Sequence, residues 1–248
     1  MMTSFTHDSR SLAETYDRLS DLQFEGGKHL VERLGVKEGA RVLDVGCGTG
    51  RLAHWIAERV GTKGAVTGID PLEERIDIAR SRGGAVRFEL GRAEDLCGFE
   101  DASFDVVCMS SVFHWVADKA KALAEVRRVL RPGGRLGVTT SPHELARAST
   151  VGLVVEPLLA RAPYAGRVDV SMLTFAKRGC TTTDLVSLVL ESRLELVELH
   201  VMQRSRNHAS GEALVDFIEA IAFGTFLRPV PEELRASLRA DLIAAFDA

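Results

Sequence analysis

The sequence predicts an α/β fold, a doubly wound Rossmann-like sheet with N-terminal helices and an inserted helical lid after the fifth strand. Three observations predict it. Short apolar runs such as "VVCM" and "GAVTGI" read as strands buried on both faces of a parallel sheet. Between residues 41 and 140 these runs alternate strictly with segments of helical periodicity. The first run leads directly into a glycine-rich turn, Gly46-Cys47-Gly48-Thr49-Gly50, which is where an open α/β sheet seats its ligand.

The elements follow in order. Leu12, Tyr16 and Leu19, then Leu30, Val31 and Leu34, recur near helical spacing around a Gly26-Gly27 break, which predicts two helices over residues 10–34. Next come strand Arg41–Val45, helix Leu52–Val60, strand Ala65–Ile69, helix Leu72–Ser81 and strand Val86–Leu90. Strand Phe104–Met109, helix Asp118–Leu130 and strand Arg135–Thr140 complete the alternation. Residues 141–180 carry three prolines and no clear alternation, with "ELARA" and "GLVVEPLLARA" as short helices, and read as an insertion or lid. A helix over Thr183–Leu190 is expected after it, then an exposed or edge strand over Arg193–Ser205, because "RLELVELHVMQRS" partly alternates apolar and charged residues. Helices Gly211–Phe223 and Pro231–Phe246 close the chain, the second opening with Pro231 and with Glu232 and Glu233 in its first turn. The organisation expected is a single domain over 1–248: helices 10–34, a ligand-binding core 35–140, a lid 141–180 and a C-terminal segment 181–248.

Composition narrows the function classes. With 46% hydrophobic and 27% charged residues among 248, the chain has the balance of a globular protein and enough length for a sizeable core. A net charge of −4 argues against a nucleic-acid partner, which calls for a basic surplus or stripe. "MMTSFTHDSR" lacks the basic and apolar regions of a signal peptide, and no stretch reaches the roughly eighteen apolar residues of a membrane span, so a cytoplasmic protein is expected. Cys47, Cys97, Cys108 and Cys180 show no C-x-x-C spacing, which indicates neither a metal site nor a disulfide framework.

The glycine loop then has to be matched to a nucleotide. A dinucleotide fingerprint, G-x-G-x-x-G, would place its third glycine at position 51, which holds Arg51; the spacing here is G-x-G-x-G. Asp44 precedes the glycines, where a carboxylate repels a pyrophosphate but attracts an ammonium group. S-adenosylmethionine carries an α-ammonium and no phosphate. Asp70 ends the second strand in "AVTGIDP", placed to accept hydrogen bonds from ribose hydroxyls or to start the next helix before Pro71.

These residues belong to a larger pattern. "VLDVGCGTGRLA", "GIDP", "GRAEDL", "DASFDVVCMSSVFHW" and "EVRRVLRPGGRLGVTT" resemble, in order and spacing, the class I S-adenosylmethionine-dependent methyltransferases. The likeness is strongest to the small-molecule group that includes the ubiquinone-biosynthesis, trans-aconitate and biotin-pathway enzymes, and it covers about residues 35–140. It implies S-adenosylmethionine as cofactor, S-adenosylhomocysteine as product and a small-molecule methyl acceptor. It further implies that Gly46, Cys47, Gly48 and Gly50 line the cofactor, with Asp44 near its amino group and Asp70 on its ribose. Ala93, Glu94 and Asp95 would flank adenine, Ser110 and Ser111 would face the methionine portion, and Tyr16 would either fold over the cofactor or pack. His114 would touch the acceptor and serve as general base if the acceptor must lose a proton, and Trp115 would either touch the acceptor or pack the following helix.

Other readings stay open at the level of sequence. These are a catalytically silent S-adenosylmethionine-binding protein, a methyltransferase acting on nucleic acid or a carrier protein, and an NAD-dependent oxidoreductase, which Arg51 and Asp44 disfavour. Base-directed enzymes of the family carry an Asn/Asp-Pro-Pro-aromatic motif where this chain has "SSVFHW". Arg147, Arg161, Arg167, Lys177 and Arg178 outnumber Glu144, Glu156 and Asp169 within 141–180, a basic excess that suits either an acidic acceptor or a solvated surface. A single strand candidate follows the fifth, where the family commonly adds an antiparallel pair; an open sheet edge would suit a second copy of the chain, a homodimer.

Overall fold

The computed structural model describes residues 8–142, 144, 150–168, 179–202 and 207–248. Its centre is a five-stranded sheet of β1 (Arg41–Val45), β2 (Ala65–Asp70), β3 (Arg87–Leu90), β4 (Phe104–Ser110) and β5 (Leu130–Thr139). The order is β3-β2-β1-β4-β5, and every pairing is parallel. The chain lays down β1, β2 and β3 outward in one direction and then crosses back to place β4 on the other side of β1. The switch in direction opens a crevice at the carboxyl ends of β1 and β4, the place where such sheets bind ligands.

Apolar runs explain the central position of β1 and β4. Val42, Leu43, Val45, Val107, Cys108 and Met109 are all buried, as strands covered by helices on both faces require. One face packs against α2 (Asp21–Leu34), α3 (Arg51–Val60) and α4 (Glu73–Ser81) through Val31, Leu34, Ile56, Val60 and Ile76, which join Val42, Val66 and Val106 in one cluster. Side chains alternate along a strand, so Asp44 shares this face with Val42. Between β4 and β5, α5 (Lys119–Val129) buries Ala122, Leu123, Val126 and Val129, four positions at helical spacing. Arg128 fastens it by donating to the carbonyls of Leu96 and Phe99 at 2.8 and 2.9 Å and pairing with Asp101 and Glu125.

The described residues form two compact units. Asp21–Thr140 and Thr183–Leu199 belong to the first, and the described parts of Thr6–Ser20, Ser141–Thr182 and His200–Ala248 to the second. The second unit contains α1 (Arg10–Leu19), α6 (Thr150–Leu159), α8 (Gly211–Ile221) and α9 (Glu232–Asp247), while α7 (Thr182–Glu191) lies almost wholly in the first. Val155, Leu159, Tyr164, Val215, Ile218, Phe226, Leu238 and Leu242 form the core of the second unit. There the buried Tyr164 hydroxyl donates to Asp241 at 2.5 Å.

Three expectations need correction. The two leading helices part at Ser20, and Gly26 and Gly27 lie inside α2. A Cβ on Gly27 would stand 2.6 Å from Leu52 Cδ2 and 3.1 Å from Ser110 Oγ, so this glycine lets α2 approach α3 and β4 closely, and the packing outweighs its helix cost of about 1 kcal/mol. Residues 193–202 form no strand, and 203–205 lie outside the described residues. Val197, Val201 and Met202 are 81%, 62% and 54% exposed, so the alternation there is not matched by a buried face. Finally, β5 begins at Leu130, opposite Phe104, with an irregular register before the pairing resumes at Val106 and Arg135; the Pro132-Gly133-Gly134 stretch forms that irregularity, with Gly133 at φ +76°. Pro231 stands at the N-cap of α9, one place before the first helical position. No helix among the described residues is long and apolar enough to cross a membrane.

Candidate functional site

The glycine loop leaves β1 and returns into α3, and its backbone amides are already committed. The N–H groups of Gly46 and Cys47 both donate to the carbonyl of Ile69, at 2.7 and 2.9 Å. Gly48 donates to Asp70 Oδ2 at 2.9 Å, and Gly50 donates to the carbonyl of Cys47 at 3.0 Å. A loop built to hold a pyrophosphate offers such amides to the ligand. Here four of them are spent on protein acceptors.

Two of the glycines are required by their own neighbours. Gly46 has φ +73°, and a Cβ on it would stand 2.8 Å from Val112 Cγ1 and closer still to Cγ2. Gly50, the left-handed N-cap of α3 at φ +81°, lies under Phe88 and Ala79, with 2.7 and 2.8 Å left for a Cβ. Arg51, where a dinucleotide loop has glycine, pairs with Asp21 at 2.7 Å and lies 4.7 Å from the Phe24 ring centroid, tying the start of α3 to α2. Arg82 donates to the carbonyl of Thr49 at 2.9 Å and holds the loop from the end of α4.

Asp44 is the unusual group. It is 1% exposed, its register partners are Gly68 on β2 and Cys108 on β4, and its Oδ1 takes a weak hydrogen bond from the Cys108 thiol at 3.5 Å. Its Oδ2 is buried with no partner. Burial pushes the Asp44 carboxyl up to about 7; the Cys108 thiol opposes that shift and the negative charge of Asp70 adds to it. A buried carboxylate without a cation is costly, and an ammonium group placed against Oδ2 would supply both the missing donor and the missing charge. Asp70 does two local jobs, accepting from Gly48 and, through Oδ1, from Leu72 N–H at 3.0 Å, where it starts α4. Both readings of Asp70 remain compatible, since a carboxylate has about four acceptor sites.

The thiols near the loop are packing groups. Burial raises the Cys47 and Cys108 thiols well above their ordinary range, which keeps both protonated. Cys47 Sγ lies 2.9 Å from where a Cβ on Gly68 would be.

After β3, Ala93 is buried, while Glu94 Oε1 accepts the N–H of Ala117 at 2.9 Å and Asp95 Oδ1 accepts that of Cys97 at 3.3 Å. Glu94 therefore braces the approach to α5, and Asp95 closes a turn. Tyr16 lies on α1 in the second unit, where its carbonyl accepts the Ser20 N–H at 2.9 Å. Of the excess charges in 141–180, Arg147, Lys177, Arg178 and Asp169 fall outside the described residues, and Arg167 pairs with Glu233.

The end of β4 forms the other wall of the crevice. Ser111 holds φ +60°, a strained conformation for a residue with a side chain, and its N–H donates to both the carbonyl and Oγ1 of Thr139, at 3.1 and 2.9 Å. Ser110 Oγ lies 3.5 Å from the same Thr139 hydroxyl. His114 and Trp115 sit on the short 3-10 turn η1 (Phe113–Trp115), half-buried, with ring centroids 5.2 Å apart. Thr140 Oγ1 lies 3.4 Å from His114 Nδ1. The structure thus brings Asp44, Gly46, Cys47, Gly48, Gly50, Asp70, Ala93, Glu94, Asp95, Ser110, Ser111, His114 and Trp115 into one unit. Thr139 and Thr140 were not legible as site residues; only their place at the end of the strand beside β4 marks them.

A parallel sheet of this order, with a glycine loop at its switch point and carboxylates at the ends of its first two strands, has the arrangement at which open α/β sheets bind ligands. The family model of a methyltransferase domain matches residues 43–138. That stretch, less than half of the chain, is similar to a methyltransferase domain, and the sheet it spans has a Rossmann-like order. A demethylmenaquinone methyltransferase of Staphylococcus epidermidis is 35% identical over 133 residues, 50% of this chain and 55% of its own length. A 2-phytyl-1,4-beta-naphthoquinone methyltransferase of Arabidopsis thaliana is 34% identical over 140 residues, 51% of this chain and 53% of its own length. An S-adenosylmethionine-dependent methyltransferase of Thermotoga maritima matches in structure with a TM-score of 0.52 at 26% identity, over 74% of this chain and 78% of that one. The chain spans about half the length of these two curated relatives.

Proposed function

We propose that the protein is an S-adenosylmethionine-dependent methyltransferase that passes its methyl group to a small-molecule acceptor by direct displacement. One observation carries the reading: the loop spends its amides on Ile69, Asp70 and Cys47, while a buried carboxylate oxygen of Asp44 beside it has no donor. This suits a nucleoside that brings an ammonium and no phosphate. Bound there, the cofactor supplies an electrophilic methyl on a sulfonium.

The chain's own residues do the rest. Asp44 takes the ammonium, Asp70 accepts from the ribose hydroxyls while holding Gly48, and Gly46, Cys47, Gly48 and Gly50 form the surface beneath the nucleoside. Ala93, Glu94 and Asp95 flank adenine, the backbone amide of one reading a ring nitrogen and the carboxylate of another the amino group, and Ser110 and Ser111 face the methionine portion. Trp115 and His114 orient the acceptor, and His114 takes its proton where one must leave. Alignment of acceptor, methyl and sulfur in a dry crevice supplies much of the rate.

Quinone methyltransferases among the relatives support a small acceptor, and the net charge of −4 supports it against nucleic acid. Which acceptor is used we assign to residues 141–248, outside the matched segment. We also propose a cytoplasmic location, and a homodimer formed along β5, whose outer edge is unpaired among the described residues; a monomeric mass by light scattering would refute the dimer. The central test is calorimetry with S-adenosylmethionine, S-adenosylhomocysteine and NAD. Binding of the first two without the third is expected, and NAD binding without either would overturn the assignment.

A further inference from the structure

Thr139 and Thr140, consecutive at the carboxyl end of β5, contact both ends of the segment from Ser110 to His114. Thr139 uses its carbonyl and hydroxyl on the Ser111 N–H, at 3.1 and 2.9 Å, and so holds a non-glycine residue at φ +60°. Thr140 places its hydroxyl 3.4 Å from His114 Nδ1. The two contacts come from one strand end, so the backbone turn and the imidazole share a common support.

A threonine hydroxyl can donate or accept, and the direction it takes fixes the imidazole tautomer. If Thr140 donated to Nδ1, the ring proton would sit on Nε2 and neither nitrogen could take a proton without breaking that bond. If Thr140 accepts from Nδ1–H, Nε2 carries the lone pair. We propose that Thr140 is a positioning residue that accepts Nδ1–H of His114 and makes Nε2 its basic nitrogen, while Thr139 fixes the strained turn that carries the ring. The proposal rests on the reading of His114 as the proton acceptor. In the step it serves, the acceptor's X–H proton moves to Nε2 as X forms its bond to the methyl carbon. The carbon–sulfur bond breaks with both electrons going to sulfur, and the positive charge passes from the sulfonium to the imidazolium. Thr140 Oγ1 keeps Nδ1–H throughout, as the third group orients the base in hydrolase triads.

The test is nitrogen NMR of the histidine rings in the full chain, with His114 assigned from a His114→Gln variant, at a pH where the ring is neutral. The expected result is His114 in the Nδ1–H form in the wild type and in Thr140→Ser, with Thr140→Val shifting it toward Nε2–H. S-adenosylhomocysteine should bind Thr140→Val within about twofold of wild type, because nothing on the cofactor side is touched. Thr139→Val should speed exchange of the Ser111 amide roughly tenfold, the loss of about one hydrogen bond, with Thr139→Ser restoring it. A wild-type His114 already in the Nε2–H form overturns the proposal even if a valine variant fails to fold, and so does a Thr140→Val protein whose tautomer is unchanged. Failure of the wild type to bind S-adenosylhomocysteine overturns the methyltransferase reading instead, and the tautomer result separates the two.

Discussion

The two walls of the crevice are built on different principles. At the β1 and β2 ends, position is enforced by backbone: amides bonded to Ile69 and Asp70, glycines with no room for a Cβ, and a carboxylate 1% exposed. At the β4 and β5 ends, position depends on side-chain hydroxyls: the Ser111 amide, the Ser110 hydroxyl and the His114 imidazole, all on half-exposed residues, lie 2.9 to 3.5 Å from the hydroxyls of Thr139 and Thr140. The first wall has few side chains to vary, which suits a ligand that never changes. The second carries the side chains that the proposed reading sets against the acceptor. Damage to the first wall should therefore appear in stability and cofactor affinity, and damage at His114 on the second in turnover.

The largest loss of stability is expected for Gly46→Ala. A left-handed φ costs about 1–2 kcal/mol for a residue with a Cβ, and the clash with Val112 adds about 1–3. Denaturant unfolding should show a loss of roughly 3 kcal/mol, of which Val112→Ala recovers only the steric part. Asp44→Asn comes next and works in two directions. S-adenosylhomocysteine affinity should fall about 100-fold, near 2.7 kcal/mol. The unliganded variant should nonetheless be the more stable protein at pH 8. The reason is the sign of the shift: Asp44 titrates at about 7 when folded, above its unfolded value, so the folded state holds the extra proton between the two. Wild-type stability then falls as pH rises through that window, by on the order of a few kcal/mol, and the asparagine has no such slope. Thermal melts across pH 4 to 8 would check it.

Asp70→Ala should cost about 1–3 kcal/mol by stranding the Gly48 and Leu72 amides, and loosen the loop enough to lower cofactor affinity at least about tenfold. The smallest effect on stability belongs to the other wall. His114→Ala should stay within about 0.5 kcal/mol of wild type in unfolding, yet lose turnover by roughly 10²-fold or more where the acceptor carries an acidic proton. Unchanged turnover with an unchanged pH profile would remove His114 as the base.

What was legible in the sequence follows the same division. β1, β2, β4 and the glycine loop announce themselves because burial on two faces and positive φ leave few residue choices. The Asp44 carboxylate was legible for the same reason, being a charge in an apolar strand. Gly27 misled, since a glycine that admits Leu52 looks the same in sequence as one that ends a helix. Residues 193–202 misled because alternation reports a pattern and not a partner, and Leu196, Val197 and Leu199 remain exposed. Thr139 and Thr140 were silent: their role arises from β5 lying beside β4, a pairing that local composition does not encode. Arg51 was read only as a missing glycine, although its bond to Asp21 is what position 51 provides.

The most direct test of the account is the proton balance of cofactor binding. Calorimetry of S-adenosylhomocysteine binding near pH 6, in two buffers of different ionisation enthalpy, should show close to one proton released by the wild type as Asp44 ionises against the ammonium, with affinity falling as pH drops below about 7. Asp44→Asn should release none. Binding without proton release, at an affinity that Asp44→Asn leaves unchanged, would contradict the claim that the unpartnered Asp44 oxygen is built for the cofactor's ammonium.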